Sequence, residues 1–137
     1  MYIDAKLEKD GKYWLIEYPF LDLMTQARND RELVTMATGL LNDASERDLG
    51  LSVVSQSPES LRLHISDTRS YLALVISSRR QMLGMTQSQL AAKIGAKSAT
   101  AVARYEQGKT SPSLEVLEKL LAAVGAEMAL DAALQEA

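Results

Sequence analysis

The chain has 137 residues, of which 47% are hydrophobic and 24% are charged, a composition typical of a folded globular protein rather than a disordered one. It contains no cysteine and one histidine, which excludes disulfides, thiolate metal sites and cysteine nucleophiles. No apolar run reaches the roughly 18 residues that a membrane span needs, and the charged N-terminus lacks the pattern of a signal peptide. We therefore expect a cytoplasmic protein without membrane association and without a cofactor.

Two alternating segments at the N-terminus surround an Asp10-Gly11 pair, and Asp-Gly in this setting is a strong signal for a β-hairpin. Taking Asp10 and Gly11 as a two-residue loop makes one face entirely apolar and the other face mixed. The apolar pairs are Leu7–Trp14, Ala5–Ile16 and Ile3–Tyr18, and the mixed pairs are Glu8–Tyr13, Lys6–Leu15 and Asp4–Glu17. We predict that the apolar face lies in the core and that the mixed face meets solvent or a partner.

Residues 23–27 could supply a third short strand, and residues 29–50 are predicted to form a helix. Apolar side chains recur in the helical segment at spacings of three and four, as they do on one face of a helix. Asn29 or Asp30 would cap this helix and Gly50 would end it.

A turn-rich segment at residues 55–60 is followed by an alternating segment at residues 61–65, which predicts another strand. His64 lies in this strand without companions that could share a metal ion, so we interpret it as a partly exposed strand residue. The first half is thus predicted as β-β-β-α-β, and residues 66–70 are the expected domain boundary.

Charge is distributed unevenly along the chain, whose net charge is −3. Residues 1–69 hold 8 Lys and Arg against 12 Asp and Glu, a net charge of −4, whereas residues 70–137 hold 7 against 6, a net charge of +1. Between residues 79 and 109 there are six cations and one acid, Glu106. The six are Arg79, Arg80, Lys93, Lys97, Arg104 and Lys109. Such clustering indicates a surface that faces phosphates, although a solvated helix face would show the same pattern.

The second half is predicted to be helical from about Tyr71, with short breaks at residues 84–85, 95–96 and 107–112. Thr86-Gln87-Ser88-Gln89 fits a capping box, so a helix should begin at residue 87 and run to about residue 94. Gly95 supplies the residue that ends it in a left-handed conformation.

A second short helix should follow at once, capped by Ser98 or Thr100 and ended by Gly108, so that two helices are joined by a tight turn. The shared core of the two helices is predicted to contain Leu90, Ala91, Ile94, Val102 and Tyr105. The side chains left outside the second helix are small or hydrogen-bonding, with one or two long cations. These properties suit a helix that enters the major groove of DNA.

The segments MTQSQLAAKIG and ARYEQGKTSPSLEVLEKLLAAVG closely resemble the helix-turn-helix domains related to phage repressors, over residues 72–125. The resemblance implies that Gln87 hydrogen-bonds a backbone phosphate and that residues 97–104 form the recognition helix. The predicted DNA-binding residues are Gln87, Lys97, Ser98, Ala99, Thr100, Ala103, Arg104 and Lys109.

The first half resembles the HicB-type antitoxins in DGKYWLIEYP, in the following MTQA and in RELVTMA at residues 31–37. That resemblance implies a small domain likened to a degenerate ribonuclease H and a surface that binds a toxin, for which the candidates are Tyr13, Leu15, Glu17 and Asp22. The expected fold is therefore α+β, with a toxin-binding domain at residues 1–66 and a helix-turn-helix domain at residues 70–137.

These features predict an antitoxin that neutralises a small basic mRNA-cleaving toxin of the HicA type and represses its own operon by binding double-stranded operator DNA. The alternative is a stand-alone repressor whose first domain senses a ligand or only oligomerises. The sequence has no catalytic motif, and its N-terminal carboxylates, which could in principle hold Mg²⁺, fall mostly on the exposed hairpin face. We therefore expect no enzyme activity.

A homodimer is expected because helix-turn-helix proteins of this kind commonly bind two half-sites. Residues 126–131 alternate in a way that suits a strand pairing between two protomers and burying Met128 and Leu130, although their composition also favours a helix. A tetramer would follow if the N-terminal domains also pair.

Overall fold

The computed structural model describes residues 1–126 and has the expected α+β fold, an antiparallel sheet followed by helices. The five strands are β1 (Tyr2–Asp10), β2 (Tyr13–Tyr18), β3 (Leu23–Ala27), β4 (Leu51–Gln56) and β5 (Ser60–Ile65). The α-helices of the described part of the chain are α1 (Leu33–Ser45), α2 (Thr68–Met82), α3 (Gln87–Lys93), α4 (Ala99–Glu106) and α5 (Leu114–Ala123). No helix within the described range is long and apolar enough to cross a membrane. Met128 and Leu130, predicted to lie in a dimer contact, fall outside the described residues.

The N-terminal hairpin forms with a register different from the predicted one. Its two-residue loop is Gly11-Lys12, because Asp10 stays in β1 and pairs with Tyr13. Gly11 has a φ of 62° at the first loop position, where a type II′ turn requires glycine. The shift of two residues leaves every side chain on its predicted face, because side chains alternate with a period of two. The six residues predicted to form the apolar face are all buried, namely Ile3, Ala5, Leu7, Trp14, Ile16 and Tyr18.

The new register also removes a predicted repulsion on the outer face of the sheet. The sequence pattern predicts Asp4 opposite Glu17, but Glu17 is paired with Lys6 and Asp4 with Arg62 of β5. The Arg62 guanidinium donates to both Asp4 oxygens, at 2.9 and 3.2 Å. Opposite charges therefore face each other at both positions, which favours the pairing.

Helix α1 ends five residues before the predicted stop at Gly50. A 3₁₀ turn at Asp30–Glu32 precedes it, and the Asn29 side chain accepts a hydrogen bond from the Glu32 amide, as a cap should. The helix ends at Ser45 because Glu46 takes a left-handed conformation with φ 58°.

Strand β4 was not predicted, and the sheet order β3-β2-β1-β5-β4 places it at one edge. The sequence gives no alternating signal there because the strand buries almost nothing. Leu51 is half-buried and every residue from Ser52 to Gln56 is exposed. The first half is therefore β-β-β-α-β-β.

The buried apolar side chains of the sheet, α1 and the second-half helices form one continuous cluster. Helix α2 joins the two halves, because its side chains are buried in this cluster. They are Tyr71, Leu74, Val75 and Ile76. Asp67 caps the start of α2, and its carboxylate accepts hydrogen bonds from the backbone amide and the hydroxyl of Ser70 at 3.1 and 2.7 Å. These bonds stabilise the charged carboxylate and hold the pKa of Asp67 below its ordinary value.

Candidate nucleic-acid interface

Helix α3 begins with the capping box that the sequence predicts. The Thr86 hydroxyl accepts from the Gln89 amide at 3.0 Å, and the Gln89 side chain accepts from the Thr86 amide at 2.8 Å. The helix then buries Leu90 and Ala91. Two backbone amides at the helix start, which have no partner within the helix, are thus satisfied locally, and this fixes where α3 begins.

A tight turn connects α3 to α4. Gly95 has a φ of 72° and ends α3, and Ser98 takes the N-cap position of α4, although its hydroxyl makes no capping hydrogen bond. Val102 is fully buried and Tyr105 half-buried, so α4 packs on α3 through the predicted core residues. Gly108 follows α4 with φ 67°.

The predicted DNA-binding side chains gather on and around α4. Thr100 and Arg104 are exposed and four residues apart, which places them on one face of α4, and Lys97 is exposed just before the helix begins. Ala99 and Ala103 are half-buried small residues next to that face. The other predicted residues are placed as follows: Ser98 is exposed at the start of α4, Lys109 is exposed in the loop after it, and Gln87 is half-buried at the start of α3.

Two of the six clustered cations are used inside the fold instead of on this surface. The first, Arg80, forms a two-point ion pair with Glu106, with Nε to Oε2 at 2.7 Å and Nη2 to Oε1 at 2.9 Å. Only 12% of the Arg80 side chain and 7% of the Glu106 side chain are exposed. The hydrogen bonds from the guanidinium to Glu106 raise the pKa of Arg80 above its ordinary value.

The Arg80–Glu106 pair joins three helices. Arg80 comes from α2 and also donates to the Met85 carbonyl at 2.8 Å. Glu106 is the last residue of α4, and the side-chain amide of Gln87 in α3 donates to it at 3.3 Å. Sequence reasoning missed this pair and counted its two charges as part of the surface. The signal that could have revealed it was the presence of one acid in an otherwise cationic window.

Arg79 is half-buried, and its guanidinium is also engaged in contacts within the fold. Its guanidinium donates to the Val124 carbonyl at the end of α5 and to the Phe20 carbonyl, at 3.1 and 3.2 Å, and lies over the Phe20 ring at 4.9 Å. It therefore ties the helix-turn-helix part to the connection between β2 and β3. Four cations of the window, Lys93, Lys97, Arg104 and Lys109, remain exposed and surround α4.

The candidate toxin-binding residues lie together on the outer face of the sheet, with one exception. Tyr13, Leu15 and Glu17 alternate along β2 on the side opposite the core, and Met24 of β3 lies beside Glu17. Met24 is 62% exposed, and sequence reasoning did not select it. Asp22 is separate from this group, because it follows the 3₁₀ turn at Pro19–Leu21 and takes a left-handed conformation with φ 55°.

Comparison with known proteins agrees with the geometry of the second half. Residues 76–129 match a family model described as helix-turn-helix. The chain is also 40% identical over 65 residues to an uncharacterized HTH-type transcriptional regulator of Haemophilus influenzae. The aligned segment makes up 47% of this chain and 65% of the length of the relative. The second half therefore contains a helix-turn-helix domain, in which α3 and α4 are the paired helices.

Proposed function

We propose that the chain is a transcriptional repressor that binds operator DNA through α4. The observation that carries the proposal is a short helix with small outer side chains and exposed cations, held in place by the buried Arg80–Glu106 pair. Small side chains allow the helix backbone to approach base edges in the major groove, and Lys97, Arg104 and Lys109 supply charge to neighbouring phosphates.

Replacing Lys97 and Arg104 together by Ala is expected to weaken binding to a duplex selected from a random pool with the wild-type protein. The slope of log affinity against log salt concentration should fall by about one for each phosphate that the variant no longer neutralises. Fluorescence anisotropy at several salt concentrations measures both quantities. Lys12→Ala, which removes an exposed cation from the hairpin loop, is the matched control and should leave both unchanged. Equal affinity and slope for the double variant and the wild type would refute the role of α4.

We further propose that the first half binds a small basic protein, so that the repressor acts as an antitoxin of the HicB type. This part rests on the resemblance of the first half to that family and on the outer face of the sheet. Tyr13, Leu15 and Met24 provide exposed or half-exposed apolar surface on β2 and β3, with Glu8 and Glu17 beside Leu15 and Met24. Apolar contacts framed by carboxylates fit a cationic partner, because opposite charges steer the encounter and apolar contact supplies affinity.

Co-expression with a small basic protein from an adjacent reading frame tests the antitoxin role. We expect the two to co-purify, and we expect Leu15→Arg to abolish this because it places a cation in the centre of the proposed contact. Lys6→Arg on the neighbouring strand keeps its charge and serves as the control. DNA binding by Leu15→Arg should persist, since α4 is untouched.

Failure to find such a protein would favour the stand-alone repressor. In that case the place for a ligand would be the cavity of about 400 Å³ between the end of α1, α2 and α4. Its lining is mainly polar and includes Ser45, Ser77, Ser78 and Gln81, which suits a small hydrogen-bonding molecule.

A further inference from the structure

The turn that ends α1 directs Arg47 toward the helix-turn-helix part of the chain. Ser45 is the last residue of α1, and Glu46 follows it with a φ of 58°. The Arg47 amide then donates to the Asn42 carbonyl at 3.1 Å, and the Ser45 hydroxyl donates to the Arg47 carbonyl at 2.9 Å. The backbone of Arg47 is thus held at both its N–H and its C=O group, which fixes the point from which its side chain leaves α1.

The guanidinium of Arg47 bridges the two halves of the chain. One of its nitrogens donates to the Gln107 carbonyl, 60 positions further along, and another donates to the Ser70 hydroxyl in the first turn of α2 at 3.3 Å. Gln107 is the C-cap residue of α4. Carbonyls at the end of a helix have no partner within the helix, and a cation is favoured there by the helix dipole. Arg47 therefore stabilises the end of α4 from the first half.

The loop after α4 fits closely against this guanidinium. Gly108 has a φ of 67°, and a side chain at this position would overlap the Arg47 Nη1 atom. The same loop is fastened to α4, because the Lys109 amide donates to the Arg104 carbonyl at 3.2 Å. A displacement of Gln107 would therefore also displace the end of α4 and Lys109, one of the exposed cations proposed to meet phosphate.

We propose that Arg47 is a positioning residue for DNA binding, through which the first half holds α4 and the following loop in place against DNA. This rests on the proposed binding of DNA by α4 and adds the part that the first half plays in it. The Arg80–Glu106 pair holds the last residue of α4 from α2, whereas Arg47 holds the next residue from the end of α1. The end of α1 is thereby coupled to the DNA-binding surface.

Affinity for the selected duplex, measured by fluorescence anisotropy, tests the proposal. Arg47→Ala should lower it by about 2- to 30-fold, the range expected for residues that act on a binding site without touching the ligand. Arg69→Ala, which removes another exposed arginine, is the matched control. Besides the two hydrogen bonds that its carboxylate accepts, the charges of Arg47 and Arg69 lower the pKa of Asp67, so both variants remove one positive charge from the same neighbourhood. Arg69→Ala should bind as the wild type does.

A double-mutant cycle with Lys109→Ala separates positioning from a direct contact between Arg47 and phosphate. If Arg47 positions the loop that carries Lys109, the double variant should lose less binding free energy than the two single variants together. The reason is that part of the Lys109 contact is already lost in Arg47→Ala. Two independent phosphate contacts would give additive losses, and additivity overturns the proposal. An Arg47→Ala variant that binds like Arg69→Ala overturns it as well.

Amide chemical shifts of the free ¹⁵N-labelled variants test the contact without DNA. Arg47→Ala should change the shifts of residues 105–109 and leave those of β1 and β2 unchanged, which also shows that the variant is folded. Arg69→Ala should leave residues 105–109 unchanged. If Arg47→Ala does so too, the proposal is overturned, even where DNA binding is weaker. A wild-type protein that selects no duplex would refute the DNA-binding role of α4 itself, a result that the shifts of the free variants distinguish from a missing Arg47 contact.

Discussion

Glu106→Ala is expected to lower the free energy of unfolding by about 3–5 kcal/mol, the usual cost of leaving one charge of a buried ion pair without its partner. Arg80 would keep its hydrogen bond to the Met85 carbonyl but would no longer have either bond to the carboxylate. Because the pair holds the last turn of α4, DNA affinity should fall as well. Chemical denaturation measured by circular dichroism gives the stability change.

Two control variants show whether the loss of stability in Glu106→Ala comes from an unpaired buried charge. Glu115→Ala removes a carboxylate whose oxygen lies 3.8 Å from the Lys119 ammonium in an exposed pair, and it should change stability by about 0.5 kcal/mol or less. Replacing both members of the buried pair, as Arg80→Met with Glu106→Leu, should cost less than Glu106→Ala alone because no unpaired charge remains. A Glu106→Ala variant as stable as Glu115→Ala would show that the pair does not hold α4.

The second large effect is expected at Ile76, which is 1% exposed in the middle of α2. Ile76→Ala should lower the free energy of unfolding by about 2–5 kcal/mol, because it removes buried apolar surface and leaves a cavity behind. Since the buried cluster runs through α2 into both halves, the substitution should destabilise the sheet and the helices together.

Two probes separate a shared core from independent halves. Fluorescence of Trp14, the sole tryptophan, reports on the sheet, and circular dichroism at the helix minimum reports mainly on the second half. Both midpoints should shift equally in Ile76→Ala, as a two-state transition requires. Met82→Ala, at an exposed position at the end of the same helix, should shift neither appreciably. A shift in one probe alone would contradict the shared core.

Helix starts and stops that depend on a few neighbouring residues were predictable from the sequence. The Thr86–Gln89 capping box, and Gly95 and Gly108 after the paired helices, lie where the sequence places them. Each depends on hydrogen bonds or φ angles of its immediate neighbours, so no distant contact can change it easily.

Pairings between distant elements were less predictable. The two faces of the hairpin were predicted correctly, but its register was not, because a shift of two residues satisfies the same apolar pattern. Strand β4 was missed since an edge strand with exposed Val53 and Val54 has no buried alternation to reveal it. The Arg80–Glu106 pair joins residues 26 positions apart, and only the packing of α2 against α4 brings them together.

The central claim is that α4 is the part of the chain that contacts DNA. Amide chemical shifts of the ¹⁵N-labelled protein, titrated with the selected duplex, test it most directly. We expect the largest changes at residues 86–89 and 97–104, and small changes throughout β1, β2 and β3. If the largest chemical-shift changes occur on the sheet and α4 is unaffected, the claim is contradicted.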